Sequence, residues 1–322
     1  MPPKDKVYLA VSIDVEEEGL FSGVYERHPK IVNAPHLVRM FPLLDRGVKP
    51  TLFCASSALA DPRARATIDK LRKRSALEIG AHLHHWNTPP LDPDGEETLR
   101  SVPASEISDE AFERKLRTLL REAEIFGGEK IESFRMGRWD LDPRRFSILA
   151  ANGIRVDSSI RPLHGSPSAP PDHFFAPRDP FRVKLGEKEI FEVPRTAVPI
   201  HPDLERVPPF MRSGLKNWGV LSLLPVEHPL WLMKITAKAH ISRGNKTLSL
   251  TWHSSEMMPG GSPRLRSEEE VNNFIKKISA WTDWLEDNYD VKSLTMSELR
   301  RELGSTAPLV SADGDWKRIE PD

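Results

Sequence analysis

The sequence predicts a single α/β domain folded as a distorted (β/α)7 TIM-like barrel, and three observations predict it. Short β-branched and aliphatic runs alternate with stretches of helical periodicity along most of the chain, which implies a parallel sheet with right-handed crossovers. The strand–helix units number about seven, which favours a closed or nearly closed barrel over an open sheet. The strands end in acidic, histidine or arginine residues, and the C-terminal rim of a parallel sheet is where functional groups gather.

Taken in order, Val7 to Ile13 reads as a buried strand that delivers carboxylates at its end. Ala34 to Arg46 carries Leu37, Met40, Phe41 and Leu44 at helical spacing and is closed by Gly47. Pro50 to Ala55 is a second strand, Arg63 to Arg74 a second helix, and Leu77 to Ala81 a third strand that runs into His82. Glu106 to Phe126 repeats apolar residues every three or four positions (Phe112, Leu116, Leu119, Leu120, Ala123) and ends at Gly127-Gly128. A strand at Ser133 to Arg135, a helix at Pro143 to Asn152 closed by Gly153, and a strand at Ile154 to Asp157 follow.

The alternation then breaks. Pro162 to Pro209 is proline-rich, with one strand signal at Glu189 to Val193, and the whole excursion, residues 162–246, is expected to decorate the sheet. Regularity returns with a strand from Thr247 to Trp252 that ends at His253, and a long helix from Ser267 to Asn288 opened by Ser-Glu-Glu-Glu. A last strand, Val291 to Leu294, and a closing helix, Met296 to Leu303, complete one domain over residues 1–303; the tail, 304–322, is expected to be poorly ordered.

Composition excludes several functions. Among 322 residues, Lys+Arg 46 against Asp+Glu 47 leaves a net charge of −1, so there is no basic field for a nucleic-acid partner. One cysteine, Cys54, rules out an internal disulfide, a thiolate zinc site and a redox pair, so any metal is held by His, Asp and Glu. Cys54 itself lies in a strand and reads as a small core residue. The N-terminus enters Val7 to Ile13 directly and meets Asp14 too soon for a signal peptide, so a cytoplasmic location is expected. No run approaches the ~20 apolar residues of a membrane span. The greasiest stretch, residues 218–233, is broken by Pro225, Glu227, His228 and Pro229; it reads as a buried amphipathic segment, or as a peripheral contact with a membrane or a lipid-linked substrate. The absence of a Gly-x-Ser-x-Gly elbow, a phosphate-binding loop and a Gly-x-Gly-x-x-Gly turn argues against an α/β hydrolase, a kinase and a Rossmann dehydrogenase.

The polar rim carries the chemistry. Asp14 and Glu16, two apart on an extended strand, share a side. Two carboxylates together favour a cation, or a base beside a metal ligand; a helix cap with a solvated loop is the alternative, and is the reading for Glu17 and Glu18. His82 and His84 also share a face, and imidazole is the commonest ligand of zinc-like ions, while His85 points elsewhere unless the chain turns. A hydrogen-bonded histidine cluster is the alternative. Arg135 and Arg138 orient a carboxylate, clamp a substrate oxygen, or make surface salt bridges. His253 is placed to protonate a leaving amine, or is a satisfied core histidine. Asp157 and Glu256 complete the rim, and His164, His173, His201, His228 and His240 receive no role.

Together these blocks resemble the polysaccharide deacetylase superfamily, the NodB-homology or carbohydrate esterase family 4 group, over roughly Val7 to Leu303, with the proline-rich excursion least matched. Ser12-Ile-Asp-Val-Glu16 looks like the Asp-x-Asp form of the first motif. Pro50-Thr-Leu-Phe-Cys and Glu78-Ile-Gly-Ala-His82 look like the second strand and the entry to the metal histidines. The family places its two histidines four apart, whereas the fourth residue after His82 is Trp86; the second ligand is therefore taken as His84 from strand geometry, with His85 as the alternative. Phe134-Arg-Met-Gly resembles the arginine motif, with Gly137 in place of a proline often found there. Val156-Asp-Ser-Ser, Glu192-Val-Pro194 and Thr251-Trp-His253 resemble the motifs that follow. The Ser-Ser-Ile-Arg161 turn and the His-Ser-Ser-Glu256 ending are also similar to deformylases acting on lipid-linked formamido-arabinose and to deacetylase-like proteins of lipopolysaccharide biosynthesis.

The resemblance implies a NodB-type barrel and metal-assisted hydrolysis of an N-acetyl or N-formyl amide on an amino sugar of a cell-surface glycan or its lipid-linked precursor. It implies Asp14 as base, Arg135 as its positioner, His253 as acid, and Glu16, His82 and His84 as ligands of a divalent metal, zinc above others. Arg138, Asp157, Arg161 and Glu256 are the substrate-binding candidates. Two further readings stand beside it: C–N hydrolysis of a small metabolite, as in allantoinase-like members, and a catalytically silent carbohydrate-binding relative.

Overall fold

The structure, a computed structural model, describes residues 3–165, 171–201, 207, 212 and 219–311. Its centre is one sheet of strands β1 (Lys6–Val15), β2 (Pro50–Cys54), β3 (Glu78–Leu83), β4 (Ser133–Met136), β5 (Val156–Asp157), β6 (Phe181–Leu185), β7 (Lys188–Glu192), β8 (Thr247–His253), β9 (Asp290–Ser293) and β10 (Leu309–Val310). Neighbours run β8-β1-β2-β3-β4-β5-β7-β6-β10, with β9 paired to β1. Every pairing is parallel except the β6–β7 hairpin. Helices α1 (Pro62–Arg72), α2 (Asp109–Gly127), α3 (Phe146–Ala151), α4 (Leu230–Ile241), α5 (Glu268–Asn288) and α6 (Met296–Leu303) connect or cover the strands.

β1 is the hub. Its Leu9 carbonyl accepts from Leu294 N–H and its Val15 carbonyl from Ala55 N–H, each at 3.0 Å, so β9 and β2 follow one another along the same edge. β8 holds the other edge, in a register that sets Asp14 opposite His253. β3 and β4 pair His82 with Arg135. These two registers bring four polar residues from four strands to one end of the sheet.

Apolar periodicity explains the covering helices. α2 buries Phe112, Leu116, Leu119, Leu120 and Ala123, starts at a Ser108 cap that accepts from Ala111 N–H at 3.2 Å, and stops at Gly128 with φ 74. α5 begins with a reciprocal Ser267–Glu270 capping box and buries Val271, Phe274, Ile278, Trp281 and Leu285. The stretch expected as one helix at Ala34 to Arg46 is instead a 3-10 turn, Ala34–Met40, followed by a short α-helix, Phe41–Leu44. Pro42 explains the break, since it brings no N–H and crowds the carbonyl four residues back. Pro143 to Asn152 likewise divides into a 3-10 turn, Pro143–Arg145, and α3.

The excursion holds more regular structure than its prolines suggest. Phe181–Leu185 pairs antiparallel with Lys188–Glu192 around Gly186 at φ 67, and a second pairing joins Ala197–Pro199 to Val220–Ser222. The tail is also less loose than expected, because Leu309–Val310 pairs in parallel with β6. Residues 312–322 of that tail, and Trp218 at the start of the apolar stretch, lie outside the described residues. Within the rest of that stretch Leu223 and Met233 are buried and Trp231 is exposed. No described helix is long and apolar enough to cross a membrane.

Candidate active site

Three donors converge at the end of the sheet. Glu16 Oε2 lies 3.0 Å from His82 Nε2 and 3.1 Å from His84 Nε2, and all three residues are buried. Both histidines have their second nitrogen occupied: His82 Nδ1 sits 3.1 Å from the Arg135 carbonyl, and His84 Nδ1 2.9 Å from Glu17 Oε1. Each ring is thereby fixed with Nε2 turned toward Glu16. Such bracing by a carbonyl and a carboxylate is what orients histidine ligands.

The residues present fit a divalent cation. Zinc ligands at about 2.0–2.1 Å stand about 3.3 Å apart along a tetrahedral edge, so the two Glu16–histidine spacings need to open by only a few tenths of an ångström, and all three donor atoms lie within 4.8 Å of one another. Charge points the same way. Asp14 is balanced by Arg135, but Glu16 and Glu17 remain as two buried carboxylates. Glu16 stays below the usual carboxylate range although burial pushes it up, because His253, His82 and His84 favour its charged form. Burial lowers His84, but the carboxylates of Glu17 and Glu16 overcome this and raise it to about 10. The buried pair thus demands a positive charge, which a proton or a metal can supply.

Asp14 flanks this group. Arg135, 1% exposed, donates from Nη1 to Asp14 Oδ1 at 2.6 Å and to Thr251 Oγ1 at 3.1 Å. Its Nε donates to the Ser158 carbonyl, and its Nη2 to Ser12 and Ser158 Oγ, all at 2.9 Å. A guanidinium held by three other residues, Ser12, Ser158 and Thr251, fixes Asp14 in turn. His253 Nε2 stands 3.9 Å from both Asp14 Oδ2 and Glu16 Oε1. Burial lowers its pKa, but Glu16, Glu256 and Asp14 raise it to about 10; a divalent cation beside Glu16 would offset part of that effect.

A cavity of about 330 Å³ opens over these groups, and its wall includes Phe21, Tyr25, Trp86, Trp139, Arg138 and Arg161. Phe21 and Trp139 meet the His253 ring edge-on at 5.3 and 5.6 Å. Trp86 stacks on His84 at 4.3 Å. Arg138 and Trp139 both take positive φ, 61 and 52, a conformation that costs non-glycine residues of order 1–3 kcal/mol each. The turn that results aims both side chains into the cavity.

Several expectations are corrected by this geometry. His85 does not join the donor group: its Nε2 lies 3.0 Å from the Val102 carbonyl, and burial lowers it to about 4. Asp157, expected to bind substrate, is fully buried and outside the cavity wall. It accepts from Ser159 N–H and Oγ and is hydrogen-bonded to Glu192, because the β5–β7 register sets the two carboxyls opposite each other. Glu256, another binding candidate, borders the cavity but accepts the His253 N–H at 3.0 Å and lies 3.6 Å from its Nδ1. Arg138 donates to the Tyr25 hydroxyl at 2.5 Å.

Glu17, expected in a solvated loop, is 1% exposed and also accepts from Asn87 at 2.6 Å and Ser57 at 2.7 Å. Glu18 instead accepts from Val32 and Asn33 N–H. Phe21, Trp139 and Arg195 were not singled out. Trp139 had a signal, since it directly follows Arg138 at a strand end; Arg195 and Phe21 had none, because loop paths alone bring them here.

The chain matches no family model and no curated protein. Solved structures do share its fold. A protein assigned as a polysaccharide deacetylase from Mycobacterium smegmatis is 16% identical with a TM-score of 0.57, over 100% of this chain and 96% of that one. An allantoinase is 13% identical with a TM-score of 0.51, over 95% and 93%. A 4-alpha-glucanotransferase from Thermococcus litoralis is 13% identical with a TM-score of 0.56, over 95% and 42%. The likeness is one of fold: a mixed α/β domain on a mostly parallel sheet, the architecture these solved structures share. A deacetylase, an allantoinase and a glucanotransferase occupy the same fold, so the reaction must be argued from the site.

Proposed function

We propose that this protein is a metal-dependent hydrolase that removes an N-acyl group, acetyl or formyl, from an amino sugar of a cell-surface glycan or its lipid-linked precursor. The observation that carries this reading is one cavity in which a Glu16–His82–His84 donor group, the Arg135-braced Asp14 and His253 face one another across less than 4 Å. The aromatic wall of Phe21, Tyr25, Trp86 and Trp139 suits the C–H-rich face of a sugar ring.

Glu16, His82 and His84 would hold a divalent cation, zinc or a similar ion, which would supply polarisation of the acyl carbonyl and a lowered water pKa. In this reading Asp14 takes a proton from the attacking water, whose oxygen forms the new bond to the acyl carbon. His253 gives a proton to the amide nitrogen as the C–N bond breaks, because an unprotonated amine is a poor leaving group. The products are the free amino sugar and the carboxylic acid. Arg135 holds Asp14 in place, and Phe21 and Trp139 limit the movement of His253.

Elemental analysis of the purified protein, with His82→Ala and His84→Ala alongside, and an amine-release assay on N-acyl amino sugars test this reading. The expected result is about one metal per chain, lost in both variants. Chelator-sensitive release should fall about 10²–10⁴-fold in kcat for Asp14→Asn and His253→Ala. Absence of metal after reconstitution overturns the hydrolase and leaves a carbohydrate-binding protein on this fold.

A further inference from the structure

A second cavity, of about 550 Å³, adjoins the first and shares Arg161, Arg195, Leu224 and Glu227 with it. Three of its side chains carry buried nitrogens without a hydrogen-bond partner among the described residues: Arg161 Nε, Arg195 Nε and His228 Nε2. Neither Arg161 nor Arg195 has a carboxylate within ion-pairing distance among the described residues. Arg264 and Ser222 add further donors, and Glu227, which is exposed, is the one acid among the described lining residues.

Unpaired buried donors are rare because each forfeits a hydrogen bond to water, and two neighbouring guanidiniums also repel one another. Burial and the Arg195 charge lower Arg161 to about 9, and burial lowers Arg195 to about 10, so both remain charged at neutral pH. The Asp140 charge offsets part of this for Arg161 and the Glu227 charge part of it for Arg195, and with neither carboxylate in ion-pairing distance the remainder favours an anion in the cavity. Trp139 sets its distance from the chemistry: the ring meets His253 at 5.6 Å and has the Arg195 guanidinium carbon 5.8 Å from its centroid.

We propose that this second cavity binds a phosphoryl group, single or double, on the same molecule whose acyl amide reaches His253. Planar guanidiniums match phosphate oxygens in pairs, and a space of this size with three arginines exceeds what one carboxylate fills. The proposal rests on the N-acyl hydrolase reading and sharpens it. The substrate would be a phosphorylated or diphosphate-linked amino sugar, whether the phosphate leads to a nucleoside or to a lipid, rather than a finished neutral polymer.

The test combines binding with turnover. Calorimetric titration of the metal-loaded protein with inorganic pyrophosphate is compared among wild type, Arg161→Gln, Arg195→Gln, Arg264→Gln and His82→Ala, each checked by thermal unfolding. Wild type should bind, and Arg161→Gln and Arg195→Gln should bind at least about tenfold more weakly. Arg264→Gln at the exposed rim guards against loss of fold in the other two and should weaken binding by a smaller factor, while His82→Ala should retain it. Retention in the arginine variants with loss in His82→Ala would put the anion on the metal group and overturn the proposal.

In turnover, the kcat/KM ratio of N-acetylglucosamine 1-phosphate to N-acetylglucosamine should exceed one and collapse in the Arg161 and Arg195 variants. Hydrolysis of the neutral sugar without pyrophosphate binding would sink the phosphate site and leave the hydrolase standing. Arginine-dependent binding without hydrolysis of any amide would do the reverse. Displacement of pyrophosphate by uridine diphosphate, or by a polyprenyl phosphate in micelles, supports the site and names the source. Displacement by neither, or better by glucuronate, overturns the phosphoryl assignment.

Discussion

At the scale of single residues, His84 lies between two carboxylates, Glu16 on its Nε2 and Glu17 on its Nδ1. Glu17 never touches the proposed metal, yet it fixes the ring and raises the basicity of the donor nitrogen. Glu17→Gln keeps the shape and removes the charge. Metal affinity should fall about 10–100-fold, read by competition with a fluorescent chelator. Unchanged affinity would make Glu17 a packing residue. The sequence marked Asp14, Glu16, His82, His84, Arg135 and His253 as rim candidates because strand ends can be read locally. It misplaced Glu17 because its partners lie 67 and 70 positions away, and no local pattern announces them.

At the scale of elements, the donor group depends on how closely β3 and β4 leave the sheet. A Cβ on Gly137 would come within 2.5 Å of His84 Cδ2 and 2.8 Å of the Leu83 carbonyl, so the turn after β4 must be glycine for His84 to keep its place. Gly137→Ala should push the imidazole away and lower metal affinity by about tenfold or more, with an overpacking loss of about 1–3 kcal/mol in unfolding free energy. Retained metal with normal activity would show that the ring has room to shift. The core elements were legible because apolar period and caps are local signals. Phe181–Leu185 and Leu309–Val310 were not, since short strands flanked by proline or at a chain end gain their order by pairing, the first with Lys188–Glu192 and the second with the first.

At the scale of the whole molecule, Asp157 and Glu192 form a buried carboxyl pair beneath Arg135, with both residues fully buried. Burial first, then the Asp157 charge, raises Glu192 well above its ordinary value, and burial raises Asp157 as well, so the pair keeps a proton in the folded state. Because the folded pKa lies above the unfolded one, the stabilisation is present below the ordinary carboxylate pKa near ~4 and is lost as pH rises through the raised value. Wild type should therefore lose stability toward alkaline pH relative to Glu192→Gln, by up to about 1.4 kcal/mol per pH unit within that window. Urea unfolding at about pH 5 and about pH 9 checks this, and parallel profiles for the two proteins would refute it.

The sequence by itself determined the alternation of strands and helices, the single barrel-like domain and the polar ends of the strands, because each follows from periodicity over a few residues. Only the tertiary structure decided that His84 rather than His85 faces Glu16, that Asp157 turns inward to Glu192, and that Arg161 and Arg195 meet with no carboxylate in ion-pairing distance among the described residues. The reason is physical: strand order and register set which distant side chains share a few ångströms of space, and the charges that result depend on burial that no short segment encodes.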